Sequence, residues 1–344
     1  MTATAPATGE ADTPLLEVDD LHVEFRTSRG TVRAVNGLSY TLHAGETLAL
    51  LGESGSGKSV AAQAVMGLLP TPPARITRGA VRLHGRDLLQ LPDSEHRKLR
   101  GTKIAMVFQD ALSALNPVLT VGTQLSEMFR VHRGLRRKEA RTKAIELMDR
   151  VRIPAAARRA DDYPHQFSGG MRQRVMIAMA LALDPDIVIA DEPTTALDVT
   201  VQAQIMRLLA ELQQETAMGL LLITHDLGVV ASVADRITVM YAGRAVEESD
   251  APPLYTAPAH PYTLGLLNSV PRLDRPGQRL HPIPGTPPDL ADPPTGCAFH
   301  PRCPQTQTRC THEIPALLPV GPPPGKRRSA CHFTEEVLNR GGQR

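Results

Sequence analysis

The sequence has no tryptophan and only 3% aromatic residues, and its 344 residues carry 38 basic side chains against 36 acidic ones. A protein that holds nucleic acid through its overall charge has a large basic excess. The near-even balance therefore argues against nucleic acid as a partner. Arginine-rich runs such as residues 133–138 are more typical of a solvated helix face.

Long apolar runs are also missing. The best candidate, residues 175–190, is interrupted by Asp184 and Asp186, and a membrane-spanning helix needs about 20 mostly apolar residues in a row. The start, MTATAPATGEADTP, has neither the basic residues nor the apolar segment of a secretory signal. We therefore expect a disordered lead over residues 1–14 and a cytoplasmic protein that does not span a membrane.

A phosphate-binding loop is the strongest positive signal, because residues 52–59 read GESGSGKS and match the pattern G-x4-G-K-[ST]. Backbone N–H groups at a helix start hold a triphosphate well when no Cβ intrudes. Lys58 is predicted to reach the β- and γ-phosphates, and the Ser59 hydroxyl to ligate Mg²⁺. Residues 47–51 predict a buried strand before the loop, and residues 60–69 an apolar helix after it. The nucleotide-binding residues predicted here are Gly52, Glu53, Ser54, Gly55, Ser56, Gly57, Lys58 and Ser59.

Two adjacent acids follow an apolar run further along the chain. Residues 186–193 read DIVIADEP, which predicts a buried parallel strand that ends in carboxylates. Asp191 is placed to hold Mg²⁺, and Glu192 to polarise the attacking water as general base. In the alternative interpretation both acids only begin a turn before Pro193. The phosphate-binding loop earlier in the chain favours the catalytic interpretation.

Two more polar side chains follow predicted strands. Residues 216–225, TAMGLLLITH, predict an apolar strand with His225 just past its end, and residues 103–108 predict another strand, followed by Gln109. A helix predicted over residues 201–211 joins the acids to the first of these strands. His225 is therefore expected to lie beside Glu192 and to contact the γ-phosphate, although such a histidine is often structural. Gln109 is predicted to reach Mg²⁺ or the attacking water.

Together these motifs resemble those of an ATP-binding cassette (ABC) transporter ATPase subunit, over roughly residues 15–249. The resemblance implies an α/β fold of the P-loop NTPase type, a cassette with a mixed sheet core, an antiparallel β edge and an inserted helical subdomain. We predict the ATPase domain over residues 15–250 and its helical subdomain at about 120–183. The resemblance further implies that ATP and Mg²⁺ are the cofactors, that Gln109, Glu192 and His225 are catalytic, and that Ser59, Gln109 and Asp191 hold Mg²⁺.

A second glycine motif, FSGGMRQR from Phe167, resembles the signature loop of this family, which is usually written LSGGQ. Phe167 and Met171 replace the outer residues, as in the peptide and nickel importers. The resemblance implies that this loop contacts the γ-phosphate bound to the opposite subunit, and that the D-loop at residues 196–198 crosses the dimer interface. An isolated SGG would only cap a helix. The residues predicted to contact ATP of the opposite subunit are Ser168, Gly169, Gly170 and Asp198.

An aromatic side chain upstream of the P-loop stacks on adenine in this family. Residues 15–25 and 31–42 alternate loosely and predict the antiparallel edge, which would clamp the base. Phe25 is the candidate for the stacking residue and Tyr40 the second choice. Either ring can instead be part of the strand core.

The tail, residues 251–344, contains 19 of the 30 prolines and all four cysteines, spaced C-x5-C-x6-C-x20-C. So many prolines exclude a regular helix bundle or a central sheet. The tail is therefore predicted to be either a linker or a small module held together by its cysteines. Four thiolates can hold Zn²⁺ or an iron–sulfur cluster. Resemblance to the importers implies a [4Fe–4S] cluster, with Zn²⁺ or inert thiols as alternatives. His300, His312 and His332 are possible substitute ligands. The predicted cluster ligands are Cys297, Cys303, Cys310 and Cys331.

Two further segments, residues 108–127 and 260–273, resemble the same branch of importers. The resemblance implies an ATPase subunit that drives import of dipeptides, longer peptides or nickel-type solutes. Its partners would be a second ATPase, preferably a homologue in a heterodimer, two integral-membrane permeases and an extracytoplasmic solute-binding protein. It would lie peripherally on the cytoplasmic side of the membrane. The alternatives are a soluble ABC ATPase acting on ribosomes or DNA, and a regulatory subunit without turnover.

Overall fold

The computed structural model describes residues 13–28, 30–270, 281–321 and 327–341. The predicted disordered lead lies outside this description up to residue 12, and so do residues 271–273 of the second importer-like segment.

Strands and helices alternate along most of the described chain. The strands are β1 (Leu16–Thr27), β2 (Gly30–Leu42), β3 (Thr47–Leu51), β4 (Ala74–Leu83), β5 (Arg86–Asp87), β6 (Ile104–Val107), β7 (Ile187–Asp191), β8 (Gly219–Thr224), β9 (Arg236–Tyr241), β10 (Arg244–Asp250), β11 (Leu318–Pro319) and β12 (Arg328–Ser329). The helices are α1 (Lys58–Val65), α2 (Asp93–Leu99), α3 (Ala111–Ala114), α4 (Val121–Arg133), α5 (Arg137–Arg150), α6 (Ala156–Arg159), α7 (Gly169–Leu181), α8 (Val199–Thr216), α9 (Leu227–Val233), α10 (Ala251–Thr256), α11 (Pro261–Asn268), α12 (Thr308–His312) and α13 (Thr334–Gly341).

Two sheets organise the molecule. The larger has eight strands in the order β11-β12-β10-β9-β3-β8-β7-β6, and its strands from β9 to β6 run parallel. The smaller has four antiparallel strands in the order β2-β1-β4-β5. The antiparallel strands predicted near the N-terminus are therefore present, but they form a sheet of their own. The carboxyl ends of the parallel strands meet at one edge of the larger sheet, where ligands bind in such folds.

Alternate residues of the parallel strands face two different cores. On β7, Ile187 and Ile189 pack into a core shared with the small sheet and α1, whereas Val188 and Ala190 pack against the helices. Because both faces are covered, these strands are apolar throughout rather than alternating. All five residues of β3 and of β7 are buried.

Helices α4–α7 lie between β6 and β7 in the sequence and pack on one side of the large sheet. The α4 helix begins after Thr120, whose side chain accepts the Thr123 N–H, and ends at Gly134 in the left-handed conformation. Within the described ranges, no helix has both the length and the apolar character that a membrane crossing demands.

Several predicted boundaries shift in the structure. The strand predicted over residues 216–225 begins at Gly219, because α8 continues to Thr216 and ends at Ala217 with a φ of 54°. The helix predicted over residues 201–211 instead begins earlier than predicted, at Val199, since the Asp198 side chain caps it. The strand predicted before the P-loop, residues 47–51, is confirmed.

The described part of the tail packs on the cassette through short elements. Helices α10 and α11 and Phe299 share a core with β3, β9 and β10, and β12 pairs with β10 at the side of the large sheet. Glu247 of β10 is fully buried and accepts the backbone N–H groups of Ala259 and His260. The apolar residues of the proline-rich tail are therefore buried against the cassette rather than in a separate core of the tail.

Candidate nucleotide-binding site

The loop between β3 and α1 needs glycine at two positions. A Cβ on Gly52 would collide with the Met240 carbonyl oxygen, and one on Gly57 with the Ala34 carbonyl oxygen. Gly57 also has a φ of 100°, which side chains rarely adopt, and it precedes the first residue of α1. The loop therefore presents bare backbone at a helix N-terminus, which favours an anion.

A cavity of about 600 Å³ opens on this loop. Its lining brings together most of the predicted site residues from β3, β6, β7 and β8. The lining residues are Gly52, Glu53, Ser54, Gly55, Gly57, Lys58, Ser59, Val60, Gln109, Glu192, His225 and Leu266.

Lys58 is folded back on its own loop. Its Nζ donates to the carbonyl oxygens of Gly52 at 2.7 Å and Glu53 at 2.9 Å, and to Ser56 Oγ at 3.4 Å. Burial lowers the pKa of Lys58, against the opposing effect of the nearby carboxylates. The ammonium is therefore held at the loop without a direct ion pair of its own among the described residues.

Asp191 and Ser59 meet at the end of β7. The Ser59 hydroxyl donates to Asp191 Oδ1 at 2.8 Å, and Asp191 is buried. Burial raises the pKa of Asp191, while the Ser59 hydrogen bond and Lys58 oppose this effect. A hydroxyl and a carboxylate are hard oxygen donors of the kind that Mg²⁺ prefers, so the pair fits this cation.

Glu192 is the centre of a polar network. Its Oε2 accepts from Gln109 Nε2 and Thr195 Oγ1, both at 2.9 Å, and its Oε1 lies 3.3 Å from His225 Nδ1. Glu192 has a φ of 45°, a strained conformation for a residue with a side chain. These hydrogen bonds orient the Glu192 carboxylate toward the cavity. The Glu192 side chain is 13% exposed.

Three lining or contacting residues come from the tail and were missed in the sequence. The Tyr262 hydroxyl accepts the Glu53 N–H at 3.0 Å, Leu266 lines the cavity, and the Arg302 guanidinium pairs with the Glu53 carboxylate at 2.7 and 3.0 Å. Tyr262 and Leu266 lie in the importer-like segment from His260, which was the one available signal. Arg302 carried none, because its partner is 249 residues away.

The signature loop and the D-loop lie apart from this cavity and pack on each other. Ser168 caps α7 by accepting the Met171 N–H, and Asp198 caps α8 by accepting the Val201 N–H. A Cβ on Gly170 would meet Val201. The residues predicted to contact the opposite subunit's ATP thus stand at two neighbouring helix starts and line no part of the chain's own P-loop cavity.

The adenine-stacking candidates are not at the cavity. Phe25 is partly buried against the core beneath the small sheet, and it pairs with Val32 and Ala74 across that sheet. Tyr40 is buried with only 7% exposure, so its ring would have to leave the core to reach a ligand. Neither ring is among the residues that line the P-loop cavity.

The four cysteines are free and surround a second, small cavity of about 20 Å³, which His260, His300 and His332 also line. His312 is not in that lining. Across the described ranges, no group of three or more histidine, cysteine or acidic side chains is arranged to hold a metal ion. Burial raises the pKa of Cys331 to about 12.

A glycine loop between a parallel strand and a helix, with adjacent acids at the end of a strand beside it, defines a nucleoside triphosphatase of the P-loop class. The profile of the ABC transporter family matches residues 35–195, and that of the oligopeptide/dipeptide transporter C-terminal region matches residues 246–310.

The curated relatives agree over nearly the whole chain. The dipeptide transport ATP-binding protein DppD of Bacillus subtilis is 54% identical, over 88% of this chain and 90% of the relative. The oligopeptide transport ATP-binding protein OppD of Salmonella typhimurium is 52% identical, over 94% and 95%. The dimeric structure of the bacterial ABC transporter cassette MJ0796 superposes with a TM-score of 0.62 at 31% identity, over 69% of this chain and 98% of that one.

The chain therefore belongs to the ABC transporter family, in the branch of ATP-binding proteins that carry the oligopeptide/dipeptide C-terminal region. The fold predicted from the motifs, an ABC ATPase cassette, is confirmed. ATP and Mg²⁺ are the cofactors that membership implies.

Proposed function

We propose that this chain is the ATP-hydrolysing subunit of a peptide importer. The observation that carries the proposal is the single cavity in which the P-loop, Gln109, Glu192 and His225 come together. Dipeptides and oligopeptides are favoured over nickel-type solutes, because DppD and OppD are named for dipeptide and oligopeptide transport.

The polar groups in and beside the cavity have distinct roles in this proposal. Backbone N–H groups of the P-loop hold the phosphates, apart from those of Glu53 and Ser56, which are bonded within the protein. Lys58 neutralises the β- and γ-phosphate charge. Ser59, Asp191 and Gln109 are the residues that would hold Mg²⁺, which supplies charge neutralisation when bound.

Glu192 acts as the general base. Its carboxylate takes a proton from the water that attacks the γ-phosphorus, the bond from phosphorus to the bridging oxygen breaks, and ADP leaves. Gln109 and Thr195 orient the carboxylate through their hydrogen bonds. We propose that His225, whose Nδ1 lies 3.3 Å from Glu192 Oε1, contacts the γ-phosphate.

The site is completed by a second cassette. Ser168, Gly169, Gly170 and Asp198 lie away from the chain's own P-loop, so they contact ATP on an opposing subunit. Support comes from the related cassette whose solved structure is a dimer. We propose a homologue as that partner, and closure on two ATP molecules as the step that moves two permeases fed by a solute-binding protein. The chain would then lie peripherally on the cytoplasmic side of the membrane.

The replacement Glu192→Gln tests the catalytic assignment. We expect ATP binding to persist and turnover to fall by about 10²- to 10⁴-fold, the usual contribution of a general base. The measurements are nucleotide affinity and phosphate release by the assembled transporter. Glu211→Gln, on the exposed side of α8, is the matched control and should hydrolyse normally. Normal hydrolysis by Glu192→Gln would show that another group is the base.

Solute identity needs a separate measurement. In vesicles that contain the chain with its permeases, peptide-loaded binding protein should stimulate phosphate release, and nickel-loaded binding protein should not. The reverse pattern would replace peptides by nickel-type solutes while leaving the ATPase assignment intact.

For the tail, we propose that Cys297, Cys303, Cys310 and Cys331 hold a [4Fe–4S] cluster. The support is that four free cysteines line one small cavity, since such a cluster lies between its thiolates. Their side chains would have to rearrange to hold it, because among the described residues they form no metal-holding group as they stand. Anaerobically purified protein should show visible absorption and contain about four irons, and Cys303→Ser should lose both. A colourless protein with one zinc, or one without metal, would overturn the cluster.

A further inference from the structure

Glu53 is an acid within the phosphate-binding loop, and two tail residues contact it. The Tyr262 hydroxyl accepts its backbone N–H at 3.0 Å. The Arg302 guanidinium binds its carboxylate in the two-pronged geometry, with Nη1 at 2.7 Å from Oε2 and Nη2 at 3.0 Å from Oε1. The tail therefore holds both the backbone and the side chain of this position.

Arg302 is itself held on every side. Its side chain is only 5% exposed, its Nε donates to the Pro284 carbonyl oxygen at 2.9 Å, and its Nη1 lies 3.3 Å from the Tyr241 hydroxyl. The guanidinium also stacks over the Tyr241 ring at 5.8 Å. These contacts orient the Arg302 guanidinium so that it binds the Glu53 carboxylate.

The charge of Glu53 explains the need for this partner. Glu53 lines the cavity that receives the triphosphate, and an unpaired carboxylate there would repel the phosphates. Lys58 makes its hydrogen bond with Glu53 at the backbone carbonyl oxygen, at 2.9 Å, whereas the direct ion pair to the Glu53 carboxylate comes from Arg302. Arg302 supplies the missing positive charge from the side of the loop that faces the tail.

We propose that Arg302 and Tyr262 are positioning residues for ATP binding: Arg302 neutralises Glu53 beside the phosphates, and Tyr262 fixes the Glu53 amide. This inference rests on the proposed function of the cavity as the ATP site. Neither residue touches the reacting atoms, so their effect is on affinity for nucleotide rather than on the chemical step.

A consequence concerns the cysteine-bearing segment. Arg302 immediately precedes Cys303 and lies in a short helical turn, His300–Arg302, between two of the four cysteines. Affinity for ATP therefore depends on that segment being folded against the P-loop. The tail becomes part of the nucleotide site rather than an appendage to it.

The test compares single and double replacements at the ion pair. Arg302→Gln should raise the dissociation constant for MgATP and the KM about tenfold, which corresponds to about 1.4 kcal/mol, with kcat within about twofold. Arg302→Lys, which keeps the charge, should recover part of the affinity. Glu53→Gln with Arg302→Gln should recover most of it, because the repelling charge is gone. Arg309→Gln, which removes the exposed ion pair to Glu313, is the matched control.

Tyr262→Phe tests the second contact. Loss of the hydroxyl should weaken MgATP binding about threefold to tenfold, in the range of one neutral hydrogen bond. Tyr255→Phe is the control, since that hydroxyl binds the Leu227 carbonyl oxygen at 2.6 Å and touches no part of the loop. Equal affinity in Tyr262→Phe and wild type would remove Tyr262 from the proposal.

Three further results separate the possible failures. If wild-type protein binds no ATP, and Lys58→Ala is indistinguishable from it, the proposed function itself fails. If wild type binds ATP and Arg302→Gln binds equally well, only the positioning role fails. If the double variant stays as weak as Arg302→Gln, and urea denaturation shows both to be less stable, Arg302 is merely structural and charge compensation is overturned.

Discussion

At the scale of single residues, the sequence predicted those site residues that lie within a recognisable local motif. Lys58, Ser59, Asp191 and Glu192 could be predicted because strand, loop and helix follow each other locally, and the structure brings them to one site. Arg302 could not, because its role exists only once the tail folds against a loop far away in sequence. Phe25 does not line the cavity, and a loosely alternating strand could not have shown which face of the sheet its ring takes.

A buried histidine gives a pH-dependent prediction. His260 is 1% exposed, its Nδ1 accepts the Tyr262 N–H at 3.1 Å, and burial lowers the pKa of His260 to about 3. In the unfolded chain the His260 imidazole binds a proton below about pH 6.5, whereas in the native protein this imidazole stays neutral. The free energy of unfolding should therefore fall as the pH drops through this window, by up to about 1.4 kcal/mol per pH unit.

His260→Asn keeps an acceptor for the helix cap and removes the titration. We expect urea denaturation between about pH 6.5 and pH 5 to show a shallower loss of stability in this variant than in wild type. His132→Asn, at an exposed position on α4, should keep the wild-type slope. Parallel slopes for wild type and His260→Asn would assign the pH dependence to other groups.

At the scale of elements, apolar runs predicted the core strands well and helix ends poorly. Both faces of β3 and β7 are covered, so an uninterrupted apolar run is itself the signal. The α8 helix exceeds its predicted length for two reasons. With Asp198 as its cap it begins at Val199, two positions before the apolar pattern starts, and its last turn is polar. Where a helix begins and ends depends on capping contacts, which the spacing of apolar residues does not show.

The start of α4 gives a packing prediction. The Gly122 N–H donates to the Ala160 carbonyl oxygen at 2.8 Å, and a Cβ on Gly122 would lie 2.6 Å from that same oxygen. Gly122→Ala should lower the free energy of unfolding by about 1–3 kcal/mol, despite the better helix propensity of alanine. Chemical denaturation measures this. Glu127→Ala, exposed on the same helix, should change stability by less than about 0.5 kcal/mol, and an equal loss there would contradict the steric explanation.

At the scale of the whole molecule, composition separated the tail from the cassette but did not show how they join. A stretch rich in proline was expected to form a module of its own or a linker, since it has little core. In the structure its apolar residues pack into the core beside β9 and β10, and its charged residues reach the cassette through Glu53 and Glu247. Such contacts depend on surfaces that exist only after the cassette has folded.

The pairing of β12 with β10 also affects whether copies of the protein can associate through the edges of their sheets. A large sheet that ended at β10 would expose a row of free backbone groups that a strand of another molecule could pair with, the usual template for aggregation. The chain pairs part of that edge, at Glu247 and Glu248, with its own β12. The ladder then ends with β11, which is two residues long and ends in Pro319, a residue without a backbone N–H. The tail that we propose to position the P-loop thus also reduces the backbone available for intermolecular pairing at this edge of the large sheet.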